Sequence, residues 1–161
     1  MLRVNIICIG KIKEKYFTDA IAEYQKRLGA FCRFQIIELP EERIKSNTPN
    51  EAQIAEVLAA EGRRIMQKIG AADYAAAMCI EGRQLSSEEL ADVLQRVSVA
   101  GKSTVDFIIG GSYGLSGEVK SRADLHLSMS RMTFPHQMAR VILSEQIYRA
   151  FEINSGGKYH K

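Results

Sequence analysis

Short apolar runs rich in β-branched residues alternate with helical stripes along the whole chain, and this alternation limits the fold more than any other feature. Residues 2–9 and 34–39 read as buried strands. Between them Phe17, Ala20, Ile21, Tyr24 and Leu28 fall on one helical face. Residues 40–50 hold Pro40 and Pro49 among mostly polar neighbours and read as an exposed loop. A helix over 51–69 carries Ile54, Val57, Leu58, Ile65 and Ile69 at helical spacing, and residues 74–80 form a third strand. Ser86 followed by Glu89 predicts a capping box for a helix to about Ala100. Gly101, free to adopt positive φ, ends it. Thr104–Ile109 is a fourth strand, a short helical pattern follows, and residues 125–127 form a short fifth strand. Pro135 suits the first turn of a last helix reaching about Ile153, where its missing N–H costs nothing. Strands and helices in this order imply an α/β domain, residues 1–161, with a mostly parallel sheet flanked by helices.

Composition narrows the class. With 46% hydrophobic and 25% charged residues the chain is an ordinary globular sequence, not a disordered or fibrous one. No apolar run approaches the length of a membrane span, and the start, Met1-Leu2-Arg3-Val4-Asn5, lacks the pattern of a cleaved leader, so a cytoplasmic protein is expected. Cys8, Cys32 and Cys79 are odd in number and far apart, which argues for buried inert thiols and against a metal site or a disulfide framework. The net charge of +3 is uneven. Residues 120–161 carry seven Lys and Arg against three acidic residues, while residues 1–119 are close to neutral. That bias weakly favours an anionic partner such as RNA.

Two irregular loops at strand ends are where an α/β sheet builds a pocket. The fourth strand runs into Gly110-Gly111-Ser112-Tyr113-Gly114-Leu115, and the fifth into Ser128-Met129-Ser130-Arg131-Met132-Thr133-Phe134-Pro135. Neither a P-loop nor a dinucleotide fingerprint is present: Ile109 stands where the latter needs its first glycine. Gly110 and Gly111 serve either a tight turn or the close approach of backbone to a ligand. The second loop offers apolar contact and backbone hydrogen bonds, which suit an adenine better than a triphosphate.

Gly110-Gly111-x-x-Gly114-Leu115, Leu127-Ser128-x-x-x-Met132-Thr133-Phe134-Pro135-His136-x-x-x-Arg140, Glu145-Gln146-x-Tyr148-Arg149-Ala150 and the terminal Tyr159-His160-Lys161 together resemble the RlmH family. Gly10-Lys11-x-Lys13-Glu14-Lys15-Tyr16 and Ala22-Glu23-Tyr24-x-Lys26-Arg27-Leu28 extend the resemblance over nearly the whole chain. These are SPOUT-class ribosomal RNA methyltransferases that modify a pseudouridine of 23S rRNA at N3. The resemblance implies a C-terminal deep trefoil knot, S-adenosylmethionine as cofactor, a homodimer, and 23S rRNA in the assembled 70S ribosome as substrate. It assigns cofactor contacts to Met78, Gly110, Gly111, Ser130, Arg131, Met132, Thr133, Phe134 and Pro135. Position 78 departs from the leucine associated with the family, and methionine keeps its volume.

Methyl transfer to a pseudouridine N3 requires loss of a weakly acidic proton, so a base or a stabilising positive charge is needed. His160 is the candidate base, Tyr159 the candidate platform for the target base, and Arg140 or Lys158 the candidate for phosphate or developing negative charge. His136 is expected to support the loop and helix start, and His126 to be structural. Two alternatives stay open: a SPOUT methyltransferase for another RNA such as tRNA, and a non-catalytic ribosome-binding protein.

Overall fold

The computed structural model describes residues 1–161. In chain order the elements are β1 (Arg3–Ile9), α1 (Lys15–Leu28), β2 (Arg33–Leu39), α2 (Glu51–Met66), β3 (Tyr74–Gln84), α3 (Ser87–Val99), β4 (Thr104–Ile109), α4 (Gly117–Arg122), β5 (Leu125–Ser128) and α5 (His136–Asn154). The five strands make one sheet in the order β2-β1-β4-β3-β5, and every neighbouring pair is parallel.

Both sheet faces are covered, as a parallel sheet requires, but unequally. On one face α1, α3 and α5 pack Leu28, Leu94, Leu143 and Ile147 onto Val4, Ile6, Val105 and Phe107, within a core of 21 buried residues. On the other, α2 and α4 bring Ile65 and Val119 against Ile7, Ile9, Ala77 and Ile108, a core of nine. Each wholly buried Leu or Ile contributes about 1.5–3 kcal/mol, so most of the stabilisation comes from the three-helix face.

Local signals account for most boundaries. Ser86 and Glu89 form the expected reciprocal capping box, and Asn50 with Gln53 forms a second at the start of α2. Gly101 takes a φ of 84° just past α3. Three boundaries differ from expectation. Pro135 is extended at ψ 134° and sits at the N-cap, because the chain is still leaving the preceding loop there. The helix expected over 51–69 ends at Met66. β3 runs past Ile80 to Gln84, since it pairs with β5 twice: through Met78 with Leu127, and, after a shift in register, through Arg83 with Leu127. Gly82 permits that shift, because a Cβ there would lie 2.7 Å from the His126 carbonyl. Cys8 and Cys32 are buried, and burial pushes their thiols up to about 11 and about 12.

Candidate methyl-donor cleft

A cleft of about 400 Å³ opens at the C-terminal ends of β4 and β5, beside residues 78–81 of β3. The Gly110–Leu115 loop forms one wall. Its Gly114 N–H donates to the Gly111 carbonyl (3.1 Å), and Gly114 takes a φ of 85°. A Cβ on Gly110 would strike the Gly114 backbone, so glycine is demanded by the turn itself. Turn closure and cleft lining thus coincide in the same glycines. The loop over 128–135 forms the facing wall. Ser128 Oγ donates to the Ser130 carbonyl (3.0 Å), and Ser130 Oγ accepts from Met132 N–H (3.0 Å), so the loop is held by its own hydroxyls.

The lining mixes apolar surface from Met78, Ile80, Leu127, Met132 and Phe134 with backbone polar groups, which fits an adenine and its sugar. Of the residues expected there, Met78, Gly110, Gly111, Ser130, Met132, Thr133 and Phe134 line the cleft; Arg131 and Pro135 do not. Several lining residues were not anticipated. Cys79, expected as a buried inert thiol, is half-buried and lines the cleft from within the anticipated strand. Glu81 comes from the unforeseen extension of β3, Lys120 pairs with Glu81 at 2.5 Å on the rim, and His136 enters from the first turn of α5. Burial, with the nearby Arg140 charge, lowers the His136 pKa and keeps its imidazole neutral. Burial and the Glu81 charge raise that of Cys79. Ile80, Tyr113 and Met132 leave large apolar surfaces exposed around the mouth, at 49%, 42% and 73%.

The C-terminal tail lies on the α3–α5 side and contributes nothing to this lining. Tyr159 donates to Glu145 Oε1 (3.1 Å), packs edge-on against Tyr148 and lies under the Arg149 guanidinium at 4.8 Å. Burial and the Glu145 hydrogen bond push its phenol up to about 12, so it stays protonated. His160 Nδ1 lies 3.1 Å from Arg149 Nη1 and His160 Nε2 2.7 Å from Glu88 Oε1. Arginine only donates, so Nδ1 accepts and Nε2 carries the proton given to Glu88. That bond holds the Glu88 carboxyl below its ordinary range.

The family described as "Predicted SPOUT methyltransferase" matches residues 2–160. The chain belongs to the SPOUT methyltransferase family. Among its relatives, Ribosomal RNA large subunit methyltransferase H of Lactiplantibacillus plantarum is 50% identical over 160 residues, covering 99% of this chain and 100% of the relative. The proteins of the same description from Leuconostoc mesenteroides and Streptococcus pyogenes are 49% and 48% identical, with the same coverage. A probable methyltransferase from Bordetella pertussis shares the fold at a TM-score of 0.55 and 14% identity, over 93% of this chain and 96% of that one. A probable methylase family protein from Haemophilus influenzae gives 0.51 and 16%, over 99% and 70%.

Within this SPOUT chain one expected catalytic residue is placed otherwise. Arg140 is wholly buried. Its guanidinium pairs with Glu38 (3.0 Å) and donates to the carbonyls of Ile9 (2.7 Å) and Gly10 (2.9 Å). It has no open face for phosphate, and its work is to tie α5 to the end of β1. His126 takes the structural part expected of it, with Nε2 2.6 Å from the Lys120 carbonyl.

Proposed function

We propose that this protein transfers a methyl group from S-adenosylmethionine to N3 of a pseudouridine in 23S rRNA, acting as a cytoplasmic homodimer on the assembled 70S ribosome. The observation that carries the reading is a mixed apolar and backbone-polar cleft at the sheet end, between the Gly110 turn and the 128–135 loop, in a SPOUT chain. The relatives at 47–50% identity are named as large-subunit ribosomal RNA methyltransferases, which supports rRNA over tRNA.

Residues fit the cofactor as follows. Met78, Leu127 and Phe134 would pack an adenine, and backbone groups of Met129, Ser130, Met132, Thr133 and Phe134 would hydrogen-bond it. Bound there, S-adenosylmethionine supplies an electrophilic methyl group. The chain's own contribution is to position the acceptor and take its proton. No tail residue lines the cleft of its own chain, so a working tail has to serve the cleft of a second copy. The apolar rim at Ile80, Tyr113 and Met132 is the surface such a copy and its RNA would cover. A deep trefoil knot in the C-terminal part belongs to the same reading. In that assembly Tyr159 stacks on the target base. His160 accepts the N3 proton once its Nδ1 exchanges the Arg149 hydrogen bond for the substrate.

Labelled S-adenosylmethionine, offered with 70S particles, free 50S subunits and naked 23S rRNA lacking the modification, tests the function. Label on a pseudouridine, strongest with 70S, is expected; label on tRNA alone would transfer the assignment. Removing Tyr159–Lys161 is expected to lower transfer by at least about 100-fold with cofactor affinity intact, and full activity of the truncated chain would remove the tail from the chemistry.

A further inference from the structure

A second cleft, of about 750 Å³, lies at the opposite end of the sheet. Its origin is legible in the strands. On the face covered by α2, β1 and β2 begin with polar residues and turn apolar halfway: Arg3 and Asn5 precede Ile7 and Ile9, and Arg33 and Gln35 precede Ile37 and Leu39. β4 does the same, with Thr104 and Asp106 before Ile108. Helix α2 ends at Met66, so it covers the apolar half and leaves the polar half open. Register sets these residues in two rungs. Arg3 stands between Arg33 and Thr104, and Asn5 between Gln35 and Asp106.

The cations of this floor favour an anionic ligand. Arg3 and Arg33 are register partners about 4.8 Å apart in backbone spacing, where like charges repel, and neither has an acidic partner. Lys68, just beyond α2, adds a third unpaired cation to the wall. Asp73 is the one acidic lining residue, and its carboxylate is engaged by the Gly70 N–H (2.7 Å). Beside the cations, Asn5 is 5% exposed, donates to Asp106 Oδ1 (2.7 Å), and leaves its own Oδ1 without a partner. Paired arginines call for an anion with several oxygens, and the phosphates of an RNA backbone supply them. A polar, charged floor is unlike the apolar centre of a protein interface.

We propose that this cleft binds the sugar-phosphate backbone of the RNA substrate, roughly 20 Å from the methyl-donor cleft by the length of β1. The inference rests on the reading of this enzyme as an rRNA methyltransferase. It gives a chain of only +3 net charge a second foothold that fixes orientation without reading sequence.

The test is binding, measured without cofactor so that failure of catalysis does not obscure it. Retention of wild type and Arg3→Gln/Arg33→Gln on ribosomal particles and on a 23S rRNA fragment is followed across salt concentrations. The variant is expected to bind about tenfold more weakly at low salt, with a salt slope shallower by about one to two. Its S-adenosylmethionine affinity should be unchanged and its melting temperature no lower. In parallel, inorganic phosphate is titrated into isotope-labelled protein and the amide signals of residues 3–5 and 33–35 are followed. Unchanged RNA affinity and slope in the variant would overturn the proposal. Phosphate shifts together with unchanged RNA binding would also overturn it, assigning the cleft to a small anion. Weakened binding by the variant while the wild type methylates no rRNA would support the cleft and reject the rRNA methylation reading alone.

Discussion

At the C-terminal ends of β4 and β5 the chain leaves the sheet through loops of glycine and hydroxyl residues, and the cleft there joins apolar side chains to the backbone of a tight glycine turn. At the N-terminal ends of β1, β2 and β4 the polar groups stand on the strands themselves, ranked by register. The Gly110 turn tolerates no added atom, because a Cβ there meets main chain that cannot move aside. A floor of side chains tolerates substitution sterically and responds through charge. Perturbing the two ends should therefore give different signatures, in fold and affinity at the first and in electrostatics at the second.

The largest effect is expected where the first end is anchored. Arg140→Ala leaves Glu38 and the carbonyls of Ile9 and Gly10 without their buried donor, and should cost about 3 kcal/mol in urea unfolding. A loss under about 1 kcal/mol would mean that water replaces the guanidinium. Next, Gly110→Val drives side-chain atoms into the Gly114 backbone, and calorimetry should show cofactor affinity falling about 10- to 100-fold. Unchanged affinity would show that this turn does not shape the cleft.

At the other end the effects are smaller and electrostatic. Burial holds the Asp106 carboxyl up at about 7, only partly offset by the Asn5 hydrogen bond. Between about pH 4 and about pH 7 the folded chain keeps a proton that the unfolded chain has released. This group therefore favours folding at acid pH, its contribution falls as pH rises to about 7, and it is constant above. Asp106→Asn should abolish that fall, which runs at up to about 1.4 kcal/mol per pH unit, matching the parent near pH 4 and exceeding it at pH 8. Parallel stability profiles for parent and variant would place the proton elsewhere. The smallest effect is expected from Arg3→Gln alone, a gain of about 0.2–1 kcal/mol as the repulsion from Arg33 is relieved; a loss would reveal a hidden partner for Arg3.

Much of this molecule was legible before folding. Apolar β-branched runs and helical stripes locate all five strands and the main helices, because burial on both faces of a sheet and on one side of a helix imposes those patterns. The Gly110 and Ser128 loops were identifiable as cleft walls, since loops following buried strands converge at one edge of a parallel sheet. Residues reached by tertiary pairing were not. Glu81 entered the cleft only because β3 continues past Ile80 to pair with β5 a second time, around Gly82. Arg140 read as a free cation within a basic segment, and its burial depends on Glu38 and the end of β1, more than a hundred residues away.

The sequence by itself determined the fold class, the strand-end loops and the family, through local periodicity and short motifs that act over a few residues. Tertiary structure alone decided which charges are sequestered and which remain open. Arg140 is closed off by contacts distant in sequence, whereas Arg3 and Arg33 become neighbours only when β1 and β2 align and stay open because α2 stops short of them. The physical reason is that a side chain's charge is written in the chain, while its dielectric surroundings and its partners are set by packing.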